Sequence, residues 1–224
     1  MPLTPLLHIT AAYSNAVLLA VLPHVSDTAR ILNLPVQQPI SIEQVDHFNT
    51  SRNPDNIGGG LWLTNGYWFA FSNGRVDSFR SPNDWYSNPY FEGVDSITGN
   101  DNMTTNDAIA LAQTSFSNLG FNPKTFLVNK SPTTFDSPSE NKQFPHIPFC
   151  RVNWENLNTD TPENRNKSYS VKFDVDMQHK QIVGMVLLFG SNYWRANPEI
   201  EIKPEFERDY RKRIQRTNTD IPSN

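Results

Sequence analysis

Two Asn-Gly dipeptides constrain the fold of this chain more than any other feature. Asn65-Gly66 and Asn73-Gly74 separate three short runs that carry aromatic and aliphatic residues. Asn-Gly supplies the positive φ angles of a tight hairpin turn, which joins neighbouring antiparallel strands. The pattern therefore predicts a three-stranded antiparallel meander with strands at 61–64, 67–72 and 75–80.

Helical signals precede this meander. Residues 10–34 carry apolar side chains at helical spacing, which predicts an N-terminal amphipathic helix that is kinked or divided at Pro23. Residues 41–44, Ser-Ile-Glu-Gln, have the pattern of a capping box and predict a short helix to about Phe48. Residues 49–60, which end in three glycines, are predicted to form a loop. The apolar stripe of the first helix consists of Leu18, Val21, Leu22, Val25, Ala29 and Leu32.

A similar order of elements recurs in the second half. After a polar loop at 81–102, residues 104–107 predict a helix cap, and Gly120 predicts the end of that helix. A connection rich in Pro and Ser at 129–148 leads to another antiparallel sheet. Its strands are predicted at 149–155, 169–176 and 181–189.

The predicted fold class is therefore α+β, with antiparallel sheets packed by helices. Two helix-plus-meander halves suggest a duplication, although their sequence identity is low. The predicted division is 1–100 for the first half, 101–195 for the second, and 196–224 for a charged C-terminal helix and a disordered tail. The alternative that the halves pack as one globular unit stays open.

Composition and charge exclude several classes of partner. The chain of 224 residues has a net charge of −4, so no positive field draws it to nucleic acid or to an anionic membrane. A single cysteine, Cys150, excludes an intramolecular disulfide and a zinc site built on several cysteines. The longest apolar run, 16–22, is far shorter than the ~20 residues of a membrane helix. No membrane span is therefore expected.

The compartment and the oligomeric state are not indicated by the sequence. Residues 1–15 contain no Lys or Arg, so the start of the chain lacks the basic region of a secretory signal. An extracytoplasmic location stays open if Met1 is not the natural start.

The second half resembles a known family. Residues 107–113 form an Asp-Ala-Ile-Ala-Leu-Ala-Gln helix that ends at Leu119-Gly120. The strands Tyr-Ser-Val-Lys-Phe-Asp-Val-Asp at 169–176 and Gln-Ile-Val-Gly at 181–184 follow it. This order resembles the PepSY-like, broadly cystatin-like pattern of a helix with an Ala-Ile core followed by strands with a Val-Asp element.

The resemblance covers residues 104–189, with a second and weaker copy at 40–80. The chain departs from the pattern in a long insertion at 120–148 and in Lys180, which stands where the final turn usually has Gly. The resemblance implies a small non-enzymatic domain suspected of binding or inhibiting peptidases, often at or outside the cell envelope. It offers no catalytic residues to carry over.

The residues capable of chemistry do not form a recognisable catalytic set. Cys150 and His146 are the only nucleophile and base close in sequence, but residues four apart on a strand stand roughly 13 Å apart. We therefore interpret Cys150 as a buried core residue. Asp174 and Asp176 share a strand face, which we interpret as a solvated face. No catalytic residue, metal ligand or cofactor is assigned, which favours a non-enzymatic role.

Aromatic residues are concentrated between positions 62 and 91. On the middle strand, Tyr67, Phe69 and Phe71 are predicted to point to one face and Trp68 to the other, beside Trp62 across the hairpin. Core packing is the favoured interpretation of the cluster, and an exposed aromatic platform is the alternative. The candidate binding residues are Trp62, Trp68, Trp85 and Tyr86.

Three functional hypotheses follow. The first is a non-enzymatic binding protein whose partner is a protein or peptide, including a peptidase. The second is a small hydrolase whose site is assembled from loops that the sequence does not identify. The third is a carbohydrate-binding module that uses Trp62, Trp68 or Trp85 as its platform.

Overall fold

The computed structural model describes residues 11–50, 57–82, 103–126, 133–136, 149–156 and 169–189. The helices are α1 (Ala11–Ile31), α2 (Thr105–Asn118) and α3 (Pro123–Phe126). The strands are β1 (Val45–Thr50), β2 (Gly58–Leu63), β3 (Trp68–Ser72), β4 (Arg75–Arg80), β5 (Thr133–Asp136), β6 (Phe149–Asn156), β7 (Tyr169–Asp176) and β8 (Gln181–Phe189).

The strands form one antiparallel sheet in the order β1-β2-β3-β4-β8-β7-β6-β5. Along the chain, α1 is followed by the β1–β4 meander, and α2 and α3 are followed by the β5–β8 meander. The last strands of the two meanders pair at the centre, where Ser78, Phe79 and Arg80 lie opposite Val186, Met185 and Gly184. The α+β class with antiparallel strands is confirmed, but the sheet is continuous instead of two separate sheets.

Both long helices pack on the same face of this sheet. Helix α1 contacts β1 and β4, and α2 contacts β6, β7 and β8. Phe69, Phe79 and Phe173 point to this face and are fully buried. We call the opposite side of the sheet the outer face. Because the core lies between helices and sheet, side chains that alternate away from it along each strand belong to the outer face.

Helix α1 runs through Pro23 as one helix, so the alternative of two separate helices is wrong. Pro23 is exposed. Three residues further on, the Ser26 hydroxyl accepts a hydrogen bond from the Ile40 backbone N–H at 2.9 Å. The hydroxyl therefore fixes the loop that follows the helix. Within the described ranges, neither long helix combines the length and hydropathy that a membrane crossing requires.

The region between α1 and the first Asn-Gly turn differs from the prediction. Residues 41–44 form a single 3-10 turn at Ile42–Gln44, in which the Ser41 N–H donates to Gln44 Oε1 at 2.9 Å. The chain then continues as β1 and not as a helix to Phe48. The capping interaction is thus present, but no α-helix follows it. Val45–Thr50 instead forms backbone hydrogen bonds with β2 as part of the sheet.

The triple glycine was predicted to lie in a loop, but it begins β2. A Cβ atom on Gly59 would lie 2.2 Å from the Asn49 carbonyl oxygen and 2.9 Å from Thr50 Cα. Glycine therefore lets β1 approach β2 closely. The first meander has four strands instead of three for this reason.

The second half follows the prediction more closely. The N-cap at Thr104, the end of α2 at Gly120 with φ +86°, and strands β6, β7 and β8 are confirmed. The connection at 129–148, for which the sequence indicates only a Pro- and Ser-rich composition, contains β5, which pairs with β6. Four residues without an apolar alternation carry no strand signal of their own, so the pairing partner decides their conformation.

Candidate binding surface

The outer face of the first meander carries a row of aromatic and cationic side chains. His47, Trp62, Trp68 and Arg80 are successive register partners on β1, β2, β3 and β4. The alternation predicted for β3 is confirmed, since Phe69 and Phe71 are buried under α1 while Trp68 lies on the other face. We call these four residues the aromatic row.

Neighbouring members of the aromatic row contact one another. The rings of His47 and Trp62 lie with centroids 5.0 Å apart, and those of Trp62 and Trp68 lie 6.1 Å apart with an interplanar angle of 48°. The guanidinium carbon of Arg80 lies 5.3 Å from the Trp68 ring centroid. Cross-strand aromatic pairs and a cation over an indole each add to sheet stability beyond the area they bury.

The aromatic row is accessible as well as packed. Trp62 and Trp68 are half-buried, while His47 and Arg80 are exposed. The interpretation that the whole cluster is core is therefore wrong for these two indoles, whereas it holds for Tyr67, Phe69 and Phe71, which are buried. An indole held half-exposed by its neighbours needs little reordering when a partner covers it.

Glycine at position 60 creates the space for one of these indoles. A Cβ atom on Gly60 would lie 3.1 Å from Trp68 Nε1. That N–H is buried and finds no hydrogen-bond acceptor in the described part of the chain. The Nε1 edge of the Trp68 ring thus lies close to the β2 backbone at Gly60 and is buried there.

The outer face of the second meander has a different chemistry, because its charges pair with one another. Arg151 donates to both carboxylate oxygens of Asp174, with Nε–Oδ1 2.6 Å and Nη2–Oδ2 2.9 Å. Lys172 Nζ lies 3.3 Å from Glu155 Oε1, and the Ser170 hydroxyl donates to the same oxygen at 3.2 Å. A hydrogen bond from Asn153, supported by Lys172 and Ser170, lowers the pKa of Glu155. The charged side chains Arg151, Asp174, Lys172 and Glu155 therefore pair within this half of the face.

The two aspartates of β7 have separate structural roles, and the interpretation of a solvated face is wrong for Asp176. Asp176 is buried, and its Oδ1 accepts hydrogen bonds from the backbone N–H groups of Gln178 and His179, each at 2.9 Å. Its Oδ2 lies 2.7 Å from His179 Nδ1. Asp176 therefore caps the β7–β8 turn, in which Lys180 adopts φ +56°.

Cys150 is fully buried in the core, as expected, and it lies opposite Val175 on β7. His146 lies outside the described residues, as do Trp85, Tyr86, His8 and the predicted C-terminal helix. Among the residues that the structure describes, no three His, Cys, Asp or Glu side chains gather where they would hold a metal ion.

Two members of the aromatic row were not identified from the sequence. Arg80 ends a predicted strand, but its position over Trp68 depends on the register of the β3–β4 hairpin, which has a bulge after Ala70. His47 lies on β1, which was not predicted as a strand. Its contact with Trp62 therefore follows only from the pairing of β1 with β2.

A scan of protein-family models finds no match to this chain, and searches of curated proteins and of solved structures find none either. The PepSY-like and cystatin-like resemblance of residues 104–189 therefore stays a prediction.

Proposed function

We propose that this chain is a non-enzymatic module that binds a protein or peptide segment through the aromatic row. The observation that carries this proposal is the pair of half-buried indoles, Trp62 and Trp68, held side by side on the outer face between His47 and Arg80. Tryptophan and arginine are enriched among the residues that contribute most to protein interfaces. The resemblance to peptidase-binding domains agrees with this proposal.

The geometry of the aromatic row favours a protein partner over a sugar. The Trp62 and Trp68 rings are inclined at 48°, so they form a wedge instead of a flat platform. The Arg80 guanidinium lies over the Trp68 ring, where a sugar would otherwise stack. A wedge accepts an apolar side chain, and the positive charge of the exposed Arg80 at its side favours an acidic neighbour on the partner. We therefore expect a partner segment that combines apolar and acidic residues.

The proposal is tested by selecting random peptides displayed on phage against the immobilised full chain. Enriched peptides are synthesised, and their dissociation constants are measured by fluorescence anisotropy. We expect the peptides to combine aromatic or aliphatic residues with Asp or Glu. Trp62→Ala should weaken their binding by about tenfold or more, since truncation of an interface tryptophan typically costs about 2 kcal/mol.

A matched control is available on the other side of the molecule. Leu19 is 61% exposed on α1, so Leu19→Ala removes an exposed apolar side chain without touching the outer face and should leave binding unchanged. Arg80→Gln should weaken binding of acidic peptides and reduce its dependence on salt. If no peptide is enriched, or if Trp62→Ala and Arg80→Gln both bind like the wild type, the proposal is wrong.

A further inference from the structure

The two Asn-Gly dipeptides of the first meander lie in opposite surroundings. Asn65 and Gly66 are both exposed at the β2–β3 turn, whereas Asn73 and Gly74 are both buried at the β3–β4 turn. The same dipeptide therefore meets water at one end of β3 and the protein interior at the other.

An Asn-Gly dipeptide can lose its side-chain amide without an enzyme. The glycine backbone nitrogen attacks the asparagine Cγ, the nitrogen–Cγ bond forms as the Cγ–Nδ2 bond breaks, and the N–H proton leaves with the ammonia. One water molecule then opens the succinimide ring at either carbonyl and gives Asp or isoaspartate, whose main chain runs through Cγ. Glycine favours the attack because it has no Cβ in the way and a freely rotating backbone.

The fold protects Asn73 from this reaction. Its backbone N–H donates to the Ile57 carbonyl at 2.6 Å, and its Oδ1 accepts from the Ile57 N–H at 3.0 Å. Asn73 is only 7% exposed. If its Cγ turned toward the Gly74 nitrogen, the Ile57 N–H would lose its acceptor at a part-buried site, which costs free energy.

The side chain of Asn65 is held much more weakly. The Tyr67 N–H donates to Asn65 Oδ1 over a long 3.4 Å. The Gly66 N–H donates to the Leu63 carbonyl at 2.9 Å, and this bond must open before the nitrogen can react. Because Thr64, Asn65 and Gly66 are all exposed, the tip of this turn can open without uncovering the core, and such local opening costs little free energy.

We propose that Asn65 is a site of spontaneous deamidation, which converts it to Asp and isoaspartate while Asn73 keeps its amide. The product lies next to the aromatic row, because Trp62 and Trp68 are the last register pair before the turn. Isoaspartate adds one main-chain carbon to the turn that joins them. Either product adds a negative charge three residues from each tryptophan, within about 10 Å of chain, which is comparable to the screening length of roughly 10 Å at 0.1 M salt.

The experiment incubates the folded full chain at mildly alkaline pH and follows both asparagines by mass spectrometry. Trypsin releases them on one peptide, residues 53–75, because no Lys or Arg precedes Arg75 within it. Electron-transfer fragments assign each conversion and distinguish isoaspartate from Asp. We expect Asn65 to convert at least about tenfold faster than Asn73, since the Asn73 amide must give up its hydrogen bond to Ile57.

Two controls separate the fold from the dipeptide. In guanidinium chloride that unfolds the chain, Asn65 and Asn73 should convert at comparable rates, because neither keeps its hydrogen bonds. Asn65→Gln should stop conversion at this position, since the longer side chain would have to close a less favourable six-membered ring.

Asn65→Asp tests the effect of the product on the aromatic row. It carries the added charge without the extra main-chain carbon, and it should weaken the binding of acidic peptides selected on the aromatic row, more strongly at low salt. This expectation rests on the proposed function.

The proposal is overturned if the folded chain converts both asparagines at the same rate, if Asn65 keeps its amide while the unfolded chain loses both, or if the difference persists in guanidinium chloride. Equal binding of acidic peptides by wild type and Asn65→Asp would overturn the effect on the aromatic row. Conversion at Asn65 in a chain that binds no peptide would support the modification site and overturn only the proposed function.

Discussion

Asp77 has the most unusual surroundings of the carboxylates on the first meander. It is the extra residue of the β4 bulge, between Val76, which lies opposite Phe71, and Ser78, which lies opposite Ala70. Burial raises the pKa of Asp77, although the Ser72 hydroxyl donates a hydrogen bond to its Oδ2 at 2.6 Å and partly opposes this effect. The carboxylate form of Asp77 is therefore better solvated in the unfolded chain than in the folded chain.

Because its pKa is raised, Asp77 makes the folded chain more stable at acidic pH than at neutral pH. Because folding favours the protonated form, lowering the pH through the folded-state pKa and down to the ordinary carboxyl value of 3.8 adds stability relative to neutral pH. Asp77→Asn should therefore increase the free energy of unfolding at pH 7 by about 1 kcal/mol. Urea denaturation from pH 7 to pH 4 should show this advantage shrinking toward the acid end.

Ser72→Ala is the matched variant, because it removes the hydrogen-bond donor and leaves the buried carboxylate. It should lower the free energy of unfolding at pH 7, which is the opposite sign. An advantage of Asp77→Asn that stays constant with pH would contradict this account of Asp77.

Among the secondary structure elements, α2 begins with a reciprocal cap. Thr104 Oγ1 accepts from the Asp107 N–H at 3.2 Å, and Asp107 Oδ2 accepts from the Thr104 N–H at 3.1 Å and from its hydroxyl at 2.6 Å. Hydrogen bonds from the side chain and the backbone of Thr104 lower the pKa of Asp107. The stabilisation by this carboxylate is present above its ordinary pKa and is lost as the pH falls through the lowered value.

Thr104→Ala should lower the free energy of unfolding by about 1 kcal/mol, the usual cost of losing an N-cap. It should also move the pKa of Asp107 back toward 3.8, which carboxyl-detected NMR titration measures directly. Thr114→Ala, at an exposed position in the middle of α2, should leave that pKa as it is in the wild type. An Asp107 pKa that is the same in Thr104→Ala and wild type would show that the cap is not responsible.

Strand β2 depends on the absence of one side chain. Gly59→Ala should destabilise the chain by about 3 kcal/mol through overpacking, since the new Cβ would lie 2.2 Å from the Asn49 carbonyl oxygen of β1. Gly60→Ala, at the next position, should destabilise the chain less, because the nearest atom to its new Cβ would be Trp68 Nε1 at 3.1 Å. Thermal unfolding of the two variants compares them, and equal losses would contradict the close approach of β1 to Gly59.

The elements that the sequence predicts well carry their own local signal. The Asn-Gly turns, the Thr104 cap and the alternating strand β7 each need only a few consecutive residues. Strand β1 is different, because Val45–Thr50 has one strong capping pattern before it and no apolar alternation within it. Its conformation comes from pairing with β2, and that pairing in turn needs Gly59.

The same distinction between local and long-range signals applies to the candidate binding surface. Trp62 and Trp68 follow from alternation and a tight turn, which are local properties. Their half-burial depends on which face α1 covers, and the contacts of His47 and Arg80 depend on the register of three strand pairs. Arg75 and Phe121 contact each other in the fold but come from different halves, and no spacing in the sequence links them.

At the scale of the whole molecule, the junction of the two meanders is short, and its central pair is apolar and buried. Three register pairs join β4 to β8, with the fully buried Phe79 opposite Met185, which is 1% exposed. One buried core cluster includes side chains from α1, α2 and both meanders. We therefore expect the two halves to unfold together, although the sequence pattern predicts a boundary between them at about residue 100.

Differential scanning calorimetry should show one transition whose calorimetric and van't Hoff enthalpies agree. Met185→Ala should lower the midpoint of that transition, since truncating a buried methionine costs about 2–5 kcal/mol. Leu188→Ala, on the same strand at a side chain that is 55% exposed, should change it little. Two resolved transitions, with only one affected by Met185→Ala, would instead support two separately folding domains.

The pairing of β4 with β8 also affects how this chain avoids aggregation. Strand β8, Gln181–Phe189, contains an almost uninterrupted apolar run and carries no charged residue. Left at the edge of a four-stranded sheet, such a strand would recruit extended segments from other molecules. The first half of the chain supplies β4 to cover that edge, and the covalent connection keeps it near β8 at an effective concentration far above that of other chains. Each half thus covers a sheet edge of the other. A truncated chain that lacks either half would expose an edge that the intact protein keeps paired.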